Sequence, residues 1–439
     1  MQDADQNKQS DFMMEKIKER PVNKKKLLRR TVTTAAMAVI FGLIACLTFL
    51  ILEPVFSNWL YPEEESQAVV FPEEIDELAP EDMLVEDETP SIQEAVESVM
   101  LEDEQIQKIL DNVSLDKENY LQLYDAMSSY VEELNASMVT VTGVSSNVDW
   151  LNDTYEQEGQ TYGVLVANNG KEYLILTSRA TVRQKENIRV TFCSGESAEA
   201  EVKQTDSQTS LAVVAVPISS LTKETRDAVK VATLGSSNLK NPVGIPVVAL
   251  GSPLGSVGSA GYGMIVSAAV PLSKVDANYK LFVTDIAGTS DGLGVLFNMQ
   301  SQIVGIITPD RARAELKNNV TAVGISELRK LIENMSNGKT AAYMGISGTD
   351  VTADANREYG VPFGAYVREI EMDSPAMLAG IQRGDVIVEI AGNSIENFNN
   401  YAAALLRLDA GQTVTVIVQR SVQNSYREME IELTLGEAK

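Results

Sequence analysis

The sequence predicts a mainly β protein carried behind one membrane-spanning helix. Three observations predict it. Eight strand-length runs rich in β-branched residues follow one another between residues 138 and 307, with Gly, Asn, Ser and Asp between them; this pattern gives a β-barrel or a sandwich. A shorter, mixed α+β pattern begins at Gly345. Near the start stands an uncharged run of 22 residues, Thr31–Leu52.

The N-terminal part divides by charge. The 439 residues hold 36 Lys+Arg against 62 Asp+Glu, a net charge of −26, which excludes a nucleic-acid grip built on a basic surface. Residues 1–30 carry nine bases and five acids and read as a basic cytoplasmic tail. Residues 31–52 follow as a single-pass transmembrane helix, long enough at ~1.5 Å per residue to span a ~30 Å hydrocarbon core. Trp59 and Tyr61 suit the membrane interface, and Lys24–Lys26 with Arg29 and Arg30 put the N-terminus inside and the bulk of the chain outside. From Thr31 to Gln107 there is no Lys or Arg, and eighteen acids fall there. Residues 53–117 are therefore expected to form a solvated acidic spacer. The capping-box pattern Ser91-Ile-Gln-Glu94 opens a helix to about Val113. The run lacks the spacing of a calcium loop, and no metal or cofactor is expected.

A second helix is predicted over 119–134, where Leu121, Tyr124, Met127 and Val131 recur at helical spacing. The strands then fall at 138–142, 163–167, 173–177, 188–192, 211–216, 245–250, 281–284 and 303–307. The α+β unit has strands at 365–368, 386–390 and 414–420 and a helix near 398–408. Two cysteines, Cys46 and Cys193, make no disulfide framework.

The chain contains no histidine. No step at neutral pH can use an imidazole, which excludes Ser-His-Asp and Cys-His hydrolases, zincins and histidine kinases.

Leu234-Gly-Ser-Ser237, Ala249-Leu-Gly-Ser-Pro-Leu-Gly255 and Gly263-Met-Ile-Val-Ser267 resemble successive framework motifs of HtrA-type serine proteases. So do Thr284-Asp285, Leu296-Phe-Asn298 and Ile303-Val-Gly-Ile306. Gly360-Val-Pro-Phe-Gly364, Ser374-Pro-Ala-Met-Leu-Ala-Gly380 and Arg383-Gly-Asp-Val-Ile387 are similar to an HtrA PDZ domain. The resemblance implies a chymotrypsin/trypsin-like double β-barrel over 118–336, then an α+β PDZ domain over 340–439. It also implies where a catalytic triad would stand. Ala180 falls at the base, Ser210 at the orienting acid and Gly292 at the nucleophile, the last with a one-residue gap near Gly288. Replacing a triad costs on the order of 10⁶ in rate, so the resemblance implies a pseudoprotease with no catalytic residues. Ser290 is a candidate stand-in nucleophile, Asp206 an acid with nothing to orient, and Asp285 with Asp291 a candidate carboxylate pair.

In the PDZ part, Tyr343-Met344-Gly345-Ile346 matches the family's carboxylate-binding loop, and Ala402 and Leu405 are expected to face a bound peptide. The implied partners are C-terminal peptides of exported or misfolded proteins. The family further suggests a homotrimer through the helices 91–113 and 119–134, or a hetero-oligomer with an active HtrA that this chain regulates. An active endopeptidase in envelope quality control is the remaining alternative.

Overall fold

The computed structural model describes residues 28–29, 32–44, 46, 48, 66–72, 117–148, 154–185, 187–289, 292–309, 316, 318–423 and 425–437. The chain falls into two compact units, Met1–Glu65 and Ser66–Lys439. In the first, residues 32–44 are helical and expose Val39, Ile40, Phe41 and Leu43. Among the described residues no helix is long and apolar enough to cross a membrane; the rest of the expected span lies outside them, as does the expected helix 91–113.

The second unit opens with a departure from the expected solvated spacer. Residues 66–72 lie against the folded body. Val69 N donates to Asn337 Oδ1 at 2.9 Å, and Asn337 Nδ2 donates back to Val69 O at 2.8 Å. Val69 is buried in the main core, and Phe71 packs on that core. The reason is local composition: Ser-Gln-Ala-Val-Val-Phe-Pro is an uncharged, apolar island in the acidic run, and apolar surface gains by leaving water. Helix α1, Lys117–Asn135, follows.

Six strands close the first barrel: β1 Met138–Val148, β2 Thr154–Asn168, β3 Glu172–Ser178, β4 Asn187–Thr191, β5 Ser197–Thr205 and β6 Leu211–Pro217, in the order β1-β2-β3-β6-β5-β4. Between β3 and β4 lies the single turn α2, Arg179–Val182. The central strands are apolar on both faces, and the two-residue period of a strand explains why. Ile175, Leu165, Ala212 and Val214 point into the barrel. Their neighbours Leu174, Leu176, Val164 and Val213 point outward, into a core shared with Val295, Phe297 and helix α3, Ile325–Ser336.

The second barrel uses β7 Thr233–Leu234, β8 Pro246–Ser252, β9 Ser259–Lys274, β10 Ala277–Ala287, β11 Leu293–Phe297, β12 Gln302–Ile307 and β13 Asn319–Gly324. The ring β11-β8-β9-β10-β13-β12 closes through β11–β12, with β7 appended to β12. The fold is thus two barrels, and the sandwich alternative falls. In the two barrels, strands β5, β7, β9, β11 and β13 go beyond the expected set. β5 reads Ser-Ala-Glu-Ala-Glu-Val-Lys-Gln-Thr, too polar to signal a strand without its neighbours.

The C-terminal sheet has the order β15-β16-β17-β19-β20, from Ile346–Asp350, Ala365–Ile370, Val386–Ile390, Thr413–Val422 and Ser425–Thr434, with β18 (Asn393–Ser394) on β17. β14 (Ala342–Tyr343) pairs with β21 (Gly436–Glu437). Two helices cover its core, α4 (Pro375–Leu378) and α5 (Phe398–Leu405), capped by Ser374 and Asn397. Asp385 is 1% exposed. Arg420 donates to both its oxygens at 2.7 Å, and Asp385 Oδ2 also accepts from Gln382 N at 2.8 Å. Truncating one partner of such a pair strands a buried charge. Arg420→Ala, which leaves Asp385 buried without its ion partner, is therefore expected to lower stability by about 3–5 kcal/mol, read as a fall in the urea midpoint of unfolding.

Glu327 sits in the first turn of α3 and accepts from Lys280 N at 2.8 Å. Burial pushes its carboxyl up to about 7, against the pull of the Lys280 amide and charge. The folded protein thus keeps a proton that the unfolded chain releases nearer the ordinary carboxylate range. Its contribution to stability is full at low pH and is lost as pH rises through about 7. Glu327→Gln should raise Tm at pH 8 and leave it little changed at pH 4, measured by thermal unfolding.

Candidate functional site

Two places bring candidate residues together. The first is the cleft between the barrels. Ser178 ends β3 and caps α2, its Oγ accepting from Ala180 N at 3.3 Å. Arg179 N donates to Ser210 O at 2.9 Å, which ties the residue before Ala180 to Ser210; both Ala180 and Ser210 are exposed. Ser210 adopts a left-handed φ of +58°. Asp206, four residues earlier, is committed to its own turn: its Oδ2 accepts from Thr209 N at 2.7 Å and from Thr209 Oγ1 at 2.6 Å.

Gly292 precedes β11 and is buried. Its N–H donates to Thr289 O at 3.1 Å, so it is not free to receive an oxyanion. A Cβ built on Gly292 would lie 2.6 Å from Pro253 O. Ser178, Thr209, Ser210, Leu293 and the buried Tyr162 line a narrow part of the cleft that leaves about 20 Å³, space for a water, and Tyr162 also borders a wider hollow of about 300 Å³ with Met138, Phe192, Leu250 and Gly258. Tyr162 donates to Gly294 O at 3.0 Å, and burial pushes its phenol up. Ser290 and Asp291 lie outside the described residues. Asp285 accepts from Met264 N at 2.7 Å and serves the β9–β10 pairing.

The second place is the groove between β15 and α5. Met344 and Ile346 bury their side chains in the C-terminal core, which leaves the amides of residues 344–346 to point the other way. Gly345 has φ +88°, and a Cβ there would lie 2.3 Å from Ser374 Cβ, so only glycine fits. Tyr343 donates to Glu371 Oε2 at 3.0 Å. Ala402 and Leu405 line one cavity with Tyr343, Val275, Asp276 and Ala277, and about 50 Å³ remains free.

The residue that sequence reasoning missed is Asp276. It sits in the two-residue turn between β9 and β10, where Lys274 pairs with Ala277, at φ +59°. Its Oδ2 accepts from Met344 N and Gly345 N at 2.8 Å, and its Oδ1 from Ile346 N at 2.9 Å and from the Tyr401 hydroxyl at 2.5 Å. Burial pushes the Asp276 carboxyl up, while the three amides and the hydroxyl pull against that shift. No local motif could have announced it, since its partners lie 68 to 125 positions away.

With this geometry the class can be stated. Residues 161–306 match the trypsin-like peptidase domain family, and residues 366–420 match the PDZ domain family. The putative serine protease HhoA of Synechocystis sp. is 30% identical over 256 residues, covering 54% of this chain and 62% of its own length. Serine protease Do-like HtrA of Bacillus subtilis is 27% identical over 340 residues, covering 70% and 72%. The serine protease HtrA-like of Staphylococcus aureus is 24% identical, and the match spans 38% of its length. The solved HtrA-type protease AlgW with decapeptide shares the fold at a TM-score of 0.50, with 18% identity, over 71% of this chain and 99% of that one. The chain thus carries a trypsin-like peptidase domain followed by a PDZ domain, and over both it is similar to HtrA-type serine proteases.

The crowding at Gly292 sets a chemical expectation. A chain carrying Ala180→His, Ser210→Asp and Gly292→Ser together should still cleave casein at background rate, because the serine Cβ meets Pro253 O. Recovery of turnover above background in that triple variant would show that the loop opens.

Proposed function

We propose that this chain is a membrane-anchored HtrA-type pseudoprotease, a scaffold outside the cytoplasm that holds C-terminal peptides of exported proteins in its PDZ groove. The observation that carries the loss of cutting is the closed loop at Gly292. The residue aligned with the nucleophile has neither a hydroxyl nor room for one. The residue aligned with the base is Ala180, and the chain has no histidine to replace it. The rate that survives loss of a triad comes from binding and the oxyanion hole, and here the Gly292 amide is spent on Thr289 O.

The peptide role is supported by the PDZ match and by three amides convergent on one carboxylate. A peptide would add as a strand beside β15, main-chain bonds giving affinity and the Ala402–Leu405 wall giving selectivity. The anchor is supported by the uncharged run Thr31–Leu52 with basic residues before it, and by the exposed apolar side chains of the helical residues 32–44.

One observation favours a second role, as a subunit that modulates an active homologue. Helix α1 exposes Tyr120, Leu121, Leu123 and Tyr124, and β9 exposes Met264 and Val266; Tyr262 on β9 donates to Met127 O on α1 at 3.2 Å, which makes these two elements neighbours. Such a patch suits a subunit interface.

The test is a fluorophosphonate probe with casein, applied to the purified full chain. Neither labelling nor cleavage is expected. Labelling that disappears with Ser290→Ala would establish an active endopeptidase. Co-purification from membranes with a histidine-containing homologue would establish the modulatory role.

A further inference from the structure

The groove that would receive a peptide terminus already holds a carboxylate from the same chain. Asp276 engages all three amides of the loop 344–346 and the Tyr401 hydroxyl. These are the donors a C-terminal carboxylate would need. The likeness goes further. Asp276 N donates to Ile346 O at 2.7 Å, the type of main-chain bond an added strand makes to the sheet edge. Two residues on, Asn278 Nδ2 donates to Gly348 O at 3.0 Å. Val275 and Ala277 border the same cavity as Ala402 and Leu405. The turn therefore presents a carboxylate, a backbone donor and small apolar side chains in the places of a peptide's last residues. It differs in one chemical respect: a β-carboxylate stands one methylene further from its own N–H than an α-carboxylate does.

We infer that the turn Val275–Asp276 is an internal ligand of the PDZ groove, and that a C-terminal peptide binds only by displacing it. The inference rests on the reading of this groove as a peptide site. It names the regulation of that site: the trypsin-like domain, through the β9–β10 hairpin, controls access to the PDZ domain.

The turn can leave without unfolding its barrel. Asp276 lies at the tip of a two-stranded ribbon, and the ladder from Lys274–Ala277 to Val270–Leu281 holds the ribbon together behind it. Displacement exposes one carboxylate to water, which solvates it well, and returns the same donors to the incoming carboxylate. The exchange is nearly balanced in hydrogen bonds, so the outcome depends on concentration and on side-chain fit. A tethered group acts at an effective concentration on the order of millimolar. A peptide whose side chains fill the groove beyond what Val275 and Ala277 supply can therefore compete, and one that does not is refused.

Two substitutions remove the carboxylate and suit the turn, since Gly and Asn both accept the left-handed φ of Asp276. Asp276→Asn places an amide nitrogen or a single acceptor among the N–H donors; Asp276→Gly empties the nest. The full chain and both variants would be tested for retention of a random decapeptide pool with free C-termini, and of the same pool amidated. Hydrogen exchange of the amides at 344–346 would be measured alongside. Circular dichroism would confirm that each variant is folded. The expected result is that both variants bind the free-carboxylate pool about tenfold or more tightly than the parent, as follows when the competent state is populated below about one tenth. Amidated peptides should not bind, and the three amides should lose protection in the variants. Equal peptide affinity in parent and variants would overturn the internal-ligand inference and leave the peptide site standing. Unchanged exchange at 344–346 would overturn it irrespective of the peptides. Freed amides with no peptide retained by any form would sink the peptide reading, and the inference with it.

Discussion

A carboxylate taken out of water must find donors, and in this chain that requirement fixes how the C-terminal domain meets the barrels. Asp276 projects from the end of a β-ribbon, half-buried, with its carboxylate turned onto the amides of residues 344–346. Left alone in an apolar setting, an ionised group would cost far more than a domain's net stability. Three main-chain amides and a tyrosine hydroxyl meet it. Those amides are available only because Met344 and Ile346 turn their side chains into the core and Gly345 takes a backbone angle closed to other residues. Packing inside the PDZ domain thus creates the anion site, and the site in turn seats the hairpin.

The cleft between the barrels follows a different logic. A hydrolytic site stores unpaired groups: a free amide for the oxyanion, a hydroxyl next to a base. Here the equivalent groups satisfy one another. Gly292 N–H is closed onto Thr289 O, Asp206 onto Thr209, and Arg179 N–H onto Ser210 O. The Tyr162 hydroxyl lies on Gly294 O. On the proposed reading of a chain that does not cut, this region need not hold a reactive geometry, and its groups are satisfied by internal hydrogen bonds. The framework around it needs no change, because strands buried on both faces are stabilised by what they pack against and are indifferent to the chemistry at their ends.

Much of the architecture was legible before any coordinates. The eight strand runs lie in or overlap strands, since a β-branched run bounded by turn residues has few other ways to pair its backbone. The helix expected over 119–134 lies within α1, and that expected over 398–408 includes α5. The polar strand β5 escaped notice because its identity depends on β4 and β6 on either side. The island at residues 66–72 escaped because a prediction by average charge overlooks seven apolar or neutral positions. Among site residues, Ala402 and Leu405 do share a cavity with Tyr343.

By itself the sequence determined the composition of the chemistry. It has no imidazole anywhere, a glycine at one aligned position and an alanine at another, and a glycine in the loop before β15. These are facts of residue type, and no folding can supply an absent functional group. Only the tertiary structure decided which groups meet. Asp276 is unremarked in its own segment, since its neighbours Val275 and Ala277 give it no partner. Its role arises because two domains bring it against amides 68 to 70 positions away. The amide loop was legible through Gly345 and its motif, but the pairing of those amides with Asp276 leaves no mark in the amino-acid letters. It becomes visible only when the chain has chosen which amides to leave unpaired and which carboxylate to turn toward them.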